Sequence, residues 1–370
     1  MKSILYVGMD VHKSNYTLCC YSVEKDETFA VVQVEPNVTN IIKYLNQIKR
    51  NYGHCTFLCG YEAGSLGYSL HHQLFSCGID CVILAPTTMV DTNNRRIKTD
   101  KRDAMNIAKN LAYRTYNAVY IPTEEDNAVK EYIRMRDEAK DNLKKLKQRI
   151  LSFCLRNGRH FTETKNHWTI KHIAWLKRQD FGNAILQEAF GEYLTLYFQA
   201  SDKVDLFDKR IEELSKHRSY EERVRKLTCL IGIKAHSALA TIVETGDFDR
   251  FRTAQQYAAY LGLVPGENSS VESKRITGIT KAGNSHVRKL LVEAAQSYSR
   301  GAVGYKSKTL IARQKGNDPK TIAYADKANE RLRRKFYRLT FNNTKRNVAV
   351  TAVARELACF IWGMMTENIV

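Results

Sequence analysis

A chain of 370 residues with 44% hydrophobic content buries a substantial core, which excludes a disordered or fibrous protein and makes two or more domains the expectation. Lys and Arg number 58 against 39 Asp and Glu, a formal charge of +19. A surface so basic repels itself unless its partner is polyanionic, so nucleic acid is the expected partner, although charge alone does not separate a binder from an enzyme.

The first strand-like runs are ILYVGMDV from Ile4, YTLCCYSV from Tyr16 and TFAVVQVE from Thr28, and their turn-length gaps predict an antiparallel meander. A helix is predicted over Asn40 to Asn51, then a strand, CTFLCGYEA, from Cys55, a helix after Gly64 and a strand from Asp80 to Pro86. Strands mixed with helices make an α/β layer. The segment KTDKRDAMNIAKNLA from Lys98 predicts a helix with Ala104, Ile107, Ala108 and Leu111 on one side. The nine cysteines are odd in number and lie mostly in apolar runs; with no secretory signal expected, they read as reduced thiols of a cytoplasmic protein. Cys55 with Cys59 and Cys77 with Cys81 suit alternating core positions better than zinc.

A domain closes near Pro122, and from Ala128 to Phe153 the residues Tyr132, Ala139, Leu143, Leu146, Ile150 and Phe153 keep a three-and-four spacing broken only by Arg136. That is the pattern of a coiled-coil-like helix. A second run, Leu194 to Leu214, carries Tyr197, Val204, Phe207, Ile211 and Leu214 and is its expected partner, within one chain or between subunits. Between them, Trp168 and Trp175 fit one face of a helix as a packed stripe. After Lys226, helices alternate with Gly-containing loops, Lys306 to Arg346 is dense in Lys and Arg, and a last apolar helix, Val348 to Met365, docks on a core. Arg355 and Glu356 within it argue against a membrane span. The expected organisation is residues 1–125, 126–225 and 226–370.

Asp10 follows an apolar run, Glu62 closes another, and Asp100 and Asp103 stand three apart on a predicted helix and so point to one side. Four carboxylates at strand ends and on a nearby helix offer the hard oxygen ligands that Mg2+ requires, and such a centre activates an attacking oxygen and stabilises a leaving one. Solvated carboxylates neutralised by Lys98, Lys101 and Arg102 are the plain alternative. A second candidate is GLVPGENSSVESKRITGITKAGN, where Ser269 and Ser270 lie in a polar loop followed by Lys274, Arg275 and Lys281, with Arg288 beyond. A serine needs a base, a metal or positive charge to act as nucleophile; a basic loop that only grips phosphates is the competing reading. In the basic tail, Arg331, Arg333, Arg334 and Lys335 are candidate nucleic-acid contacts.

Taken together, GMDVHK at Gly8, GYEAG at Gly60, KTDKRDA at Lys98, and YLGLVPGENSS with ITGITKAGNSHVRKLL resemble the insertion-sequence transposases of the IS110 family, in the family's order and over nearly the whole chain. The resemblance implies an N-terminal RuvC-like domain of the ribonuclease-H fold, a helical coiled-coil insertion and a mainly helical C-terminal transposase domain. It implies a DEDD tetrad at Asp10, Glu62, Asp100 and Asp103 that binds Mg2+. It also implies a catalytic serine at Ser270, with Ser269 the neighbouring alternative, because Val271 stands where the family has a glycine. GIKAHSA at Gly232 replaces the family's Gly-rich turn, so a helix-hairpin-helix grip is not expected there. The implied activity is recombination of donor and target double-stranded DNA guided by a structured bridge RNA, through a 5′-phosphoserine link, in a dimer or a tetramer of two dimers.

Three rivals remain at this point. A metal-only nuclease or junction resolvase would use the carboxylates alone, and a non-catalytic binder would use neither site. An ATP-binding sugar-kinase or actin-like fold also begins with a strand ending in Asp, but it needs small residues and a hydroxyl next, where this chain has Val11, His12 and Lys13.

Overall fold

The computed structural model describes residues 3–90, 99–270 and 273–369, with backbone alone at 87, 268–270 and 273–276. The chain divides into two compact units, Met1–Ile121 and Pro122–Val370. In the first, β1 (Ser3–Val11), β2 (Tyr16–Ser22) and β3 (Glu27–Val34) form the antiparallel meander, and α1 (Val38–Tyr52), β4 (Cys55–Glu62), α2 (Ser69–Ser76), β5 (Cys81–Leu84) and α3 (Asp100–Tyr113) follow. The five strands are ordered β3-β2-β1-β4-β5, with β4 parallel to β1 and β5 parallel to β4.

Period-two alternation sends the two sets of side chains to opposite faces of this sheet. Leu5, Val7 and Met9 of β1, Cys55, Cys59 and Tyr61 of β4 and Ile83 of β5 share one core with Ile41, Leu45 and Ile48 of α1 and Leu70 and Leu74 of α2. Tyr6, Leu58, Val82 and Leu84 face the other way, where Ile107 and Leu111 of α3 pack. Cys55 and Cys59 are thus buried core thiols, and all nine cysteines are free.

On the α3 face two glycines stand opposite each other, Gly8 of β1 and Gly60 of β4. A Cβ at Gly8 would lie 2.1 Å from the carbonyl oxygen of Ala104 and 2.4 Å from the amide nitrogen of Ala108. At Gly60 it would meet the methyl groups of Leu111 and Leu84 at 2.8 and 2.9 Å. The helix therefore lies directly on strand backbone, a closeness that only glycine permits. Its far end is tied by the hydroxyls of Tyr113 and Tyr21, 2.6 Å apart.

The second unit begins with α4 (Glu124–Arg156), then α5 (Ile170–Lys177) and α6 (Ala184–Ser215). Helices α4 and α6 pair as the sequence predicts, in antiparallel fashion within this one chain, and the pair serves two cores. Val129, Ile133 and Ile211 join the main core of the unit. Leu143, Ile150, Phe153, Phe190, Tyr197 and Val204 form a second core with α5. Between the two sits Arg136, buried, its guanidinium donating to both oxygens of Asp208 at 2.6 and 3.0 Å. Trp168 is not on the helix that carries Trp175: it precedes the N-cap Thr169 with φ 66°. Both rings still flank the buried His172, so the packed reading holds while the shared helical face does not.

The main core is built by α7 (Glu221–Leu227), α8 (Ala235–Thr245), α9 (Ala254–Tyr260) and α10 (Ser285–Ala295) and, after α11 (Lys308–Gln314), by α12 (Pro319–Phe341) and α13 (Arg346–Met365). Helix α13 is long and apolar enough to cross a membrane by length and composition, but Val350, Val353, Leu357 and Ile361 are fully buried in this core, which accounts for the apolarity. Polar ties bind α4 to the neighbouring helices. Arg134 donates to both oxygens of Glu244 at 2.7 and 3.0 Å, Asn284 donates to Glu244 at 2.9 Å, and the Nε2 atoms of His236 and His286 lie 3.0 and 3.2 Å from the Asp137 carboxylate.

One feature of this unit departs from expectation. The serine segment is an antiparallel hairpin of β6 (Pro265–Ser270) and β7 (Ser273–Ile279), with Ser269 opposite Lys274 and Ser270 opposite Ser273.

Candidate active site

The sheet geometry places the first two carboxylates. Gly8 and Asp10 share a face of β1, Gly60 and Glu62 share the same face of β4, and the parallel register pairs Gly8 with Gly60 and Met9 with Tyr61. Asp10 and Glu62 therefore close adjacent strands side by side, on the face that α3 covers. Helix α3 brings the other two. Ala104 and Ala108 rest on Gly8, and Asp100 lies one turn before Ala104, toward the strand end. Thr99 caps the helix by accepting from the amide of Arg102, which leaves Asp100 and Asp103 in the first turn, where the helix dipole favours negative charge.

The structure brings ligand atoms of Asp10, Asp100 and His12 within 4.8 Å of one another. His12 Nε2 lies 3.2 Å from Asp10 Oδ2; the Asp10 side chain is 14% exposed and that of His12 55%. Burial is the largest influence on the Asp10 carboxyl and raises its pKa; His12 opposes this, and the negative charges of Asp103 and then Asp100 raise it further. Asp103 is thus close enough to act on Asp10 electrostatically. Glu62 and Asp103 stand outside the tight trio, Glu62 at the neighbouring strand end and Asp103 on the same helical turn as Asp100.

His12 had no role from sequence. The available signal was its spacing, since residues two apart at a strand end point to one side. As a donor set, carboxylate oxygens with one imidazole at the rim of a sheet fit a divalent cation, and the crowding of negative charge on Asp10 is what such a cation relieves.

Of the second candidate site, the side chains of Ser269, Ser270, Lys274 and Arg275, like residues 271 and 272, lie outside the described residues. Lys281 is exposed in the turn after β7, with φ 57°. Arg288 is committed to structure, because its Nη1 donates to the carbonyls of Leu261 and Ala282 at 2.8 and 2.9 Å. In the basic tail, Arg333 is a correction. It is 5% exposed, and its Nη1 donates to the carbonyls of Ala302 and Tyr305 at 2.6 and 2.9 Å, so it holds the 302–305 turn and offers nothing to a ligand. Arg331 and Lys335 both pair with Glu356, and Arg334 with Glu330; Arg331 and Arg334 remain exposed.

A carboxylate cluster at a strand end, in a chain this basic, suits a protein that acts on nucleic acid. Comparison with known proteins identifies which one. A family model for the DEDD transposases of IS110 matches residues 7–156, and the model of the transposase IS116/IS110/IS902 family matches residues 224–310. The y4qE protein of Sinorhizobium fredii is 34% identical over 98% of this chain and 88% of its own length. The transposase for insertion sequence element IS1533 of Leptospira borgpetersenii is 32% identical over 92% of this chain and 97% of its own. The transposase for IS1111A of Coxiella burnetii is 23% identical over 100% of this chain and 91% of its own. The chain belongs to the IS110 family of insertion-sequence transposases, enzymes that cut and join DNA.

Proposed function

We propose that this transposase is a Mg2+-dependent serine recombinase with a ribonuclease-H-like N-terminal unit, directed to its sites by a bridge RNA. The observation that carries the reading is the gathering of Asp10, Asp100 and His12 at the strand end, with Glu62 and Asp103 on the adjoining strand and turn. Asp10, Glu62, Asp100 and Asp103 would hold the metal, which when bound supplies charge neutralisation at the scissile phosphate. The strand order β3-β2-β1-β4-β5, a meander joined to parallel strands, supports the ribonuclease-H-like reading.

Within this reading the residues divide the chemistry. The acidic residues would position the phosphate through the cation they hold, and Ser270, or its neighbour Ser269, attacks phosphorus through Oγ. A P–O bond to serine forms as the bond to the 3′ oxygen breaks; the proton lost by the hydroxyl is matched by the one the 3′ oxygen takes up. One phosphodiester replaces another, so rejoining by the reverse step needs no ATP. Lys281, Arg331, Arg334 and Lys335, with Lys274 and Arg275, would meet backbone phosphates. Sequence choice would fall to base pairing with the RNA, which suits a protein whose excess charge reads backbone rather than bases. The natural setting is the cytoplasm, with oligomers that present two or more serines to the paired DNA ends.

Asp10→Asn tests the acidic half. It should abolish Mg2+-dependent strand exchange on a plasmid carrying donor and target sites while leaving DNA binding within about twofold, since the loss falls on a transition-state contact. Exchange at the wild-type rate would remove the cluster from the mechanism. Sequencing RNA that copurifies with the protein tests guidance: one structured species supports it, and random transcripts count against it.

A further inference from the structure

The exposed face of α12 carries a pattern that extends beyond the phosphate contacts assigned above to Arg331, Arg334 and Lys335. Lys327, Arg331, Arg334, Arg338 and Phe341 recur at steps of four and three, the spacing that keeps side chains on one stripe of a helix. All five are exposed, and the stripe runs about 21 Å along the helix axis. The four cations line an open groove of about 890 Å3 with Lys335, Asp326, Glu330 and Glu356. Arg334 pairs with Glu330 at the surface, a contact weak enough for a phosphate to replace; Arg331 pairs with the half-buried Glu356, which Lys335 also neutralises. Arg338 has no such pair among the described residues.

The stripe ends on an aromatic ring. Phe341, the last residue of α12, is 89% exposed. Its aromatic neighbours are engaged: Phe336 is buried in the core, and the hydroxyl of Tyr337 donates to the carbonyl of Gly301 at 2.7 Å. Beyond Phe341 the turn continues through the exposed Lys345 and Arg346. A large apolar ring set in cationic surface is poorly suited to a protein partner, which would have to bury the surrounding charges. It suits a polyanion that presents flat apolar faces. A duplex hides those faces in its stack, whereas an unpaired strand offers them beside its phosphates.

We infer that the α12 stripe binds an unpaired DNA strand, with Arg331, Arg334 and Arg338 on successive phosphates and Phe341 stacked on a base. The inference rests on the DNA-cutting activity of the family and deepens it, because strands exchanged between two duplexes pass through an unpaired state.

The test uses the full-length protein and a short single-stranded oligodeoxynucleotide carrying 2-aminopurine, whose fluorescence falls on stacking. Wild type should bind and quench it. Phe341→Ala should lose the quench and about tenfold in affinity, the scale of one base stacked on an aromatic ring, while Phe341→Trp should keep both. Binding to the matching duplex should be unchanged by either substitution, and an unaltered melting temperature, expected for so exposed a residue, excludes misfolding. Arg338→Ala should weaken single-strand binding and flatten its salt dependence. The proposal is overturned if Phe341→Ala quenches as wild type does, or if RNA of the same sequence binds more tightly through Phe341. It is also overturned if the substitution changes self-association instead. In each of these cases intact duplex binding would leave the transposase reading standing; failure of wild type to bind any DNA at low salt would remove both.

Discussion

At the scale of single residues, the site depends on what is absent from Gly8. Its missing Cβ lets α3 lie against β1, and the offending atoms are backbone, the carbonyl oxygen of Ala104 and the amide nitrogen of Ala108. Gly8→Ala should therefore force α3 away and destabilise the first unit by about 3 kcal/mol, read as a lower denaturant midpoint. It should also weaken Mg2+ binding, because Asp100 moves with the helix. Gly60→Ala meets only the ends of leucine side chains, which rotate aside, so its cost should be about 1 kcal/mol. Equal effects would contradict the packing argument. The carboxylates were legible in the sequence because Asp10 and Glu62 interrupt apolar runs and Asp100 and Asp103 share a helical side. The inclusion of His12 was open to the same two-residue logic. The inward position of Arg333 could be read from helical spacing, since it stands beside Leu332 and three before Phe336 on the buried side of α12, but its two carbonyl partners were not legible.

At the scale of elements, the α4–α6 pair shows how a break in a pattern can be a structural statement. Arg136 interrupts the apolar spacing and proves to be the buried partner of Asp208, sited where the main core ends and the distal core begins. A single buried polar position of this kind fixes register. Arg136→Ala should cost about 2 kcal/mol, less than a fully buried pair because Asp208 is partly exposed. The double change Arg136→Met with Asp208→Leu should recover most of that loss; no recovery in urea unfolding would mean that the pair contributes more than register.

Asp137, next to it, offers a pH test. Burial would raise its pKa, but His236, His286 and Arg136 outweigh burial and hold the carboxyl well below its ordinary value. A carboxyl depressed in the folded state stabilises above its unfolded pKa, and that contribution is lost as pH falls through the folded value. The carboxyl's own contribution should therefore survive to about pH 4, and the stability gap between wild type and Asp137→Asn should close only below it. A gap that closes well above that range as pH falls would contradict the assignment to the carboxyl. The hairpin was the element that sequence concealed. PGENSSVESKRITG lacks the β-branched alternation that marks a strand, so turn formers dominated the reading, whereas the backbone pairs Ser269 with Lys274 in a two-stranded ribbon.

At the scale of the whole molecule, the excess of 58 basic over 39 acidic residues pointed to nucleic acid and no further. Distant motifs, and then the family match across both units, turned that into a transposase. The proposed chemistry, attack by a serine that depends on the acidic residues, is most directly tested by covalent trapping. Full-length protein in Mg2+ is given a substrate nicked so that religation is prevented, and the products are denatured, digested and analysed by mass spectrometry. A nucleotide linked through its 5′ phosphate to Ser270, or to Ser269 beside it, is expected with wild type and not with Asp10→Asn. Cleaved DNA with no protein attached, produced equally by Ser269→Ala and Ser270→Ala, would show that the carboxylates work alone.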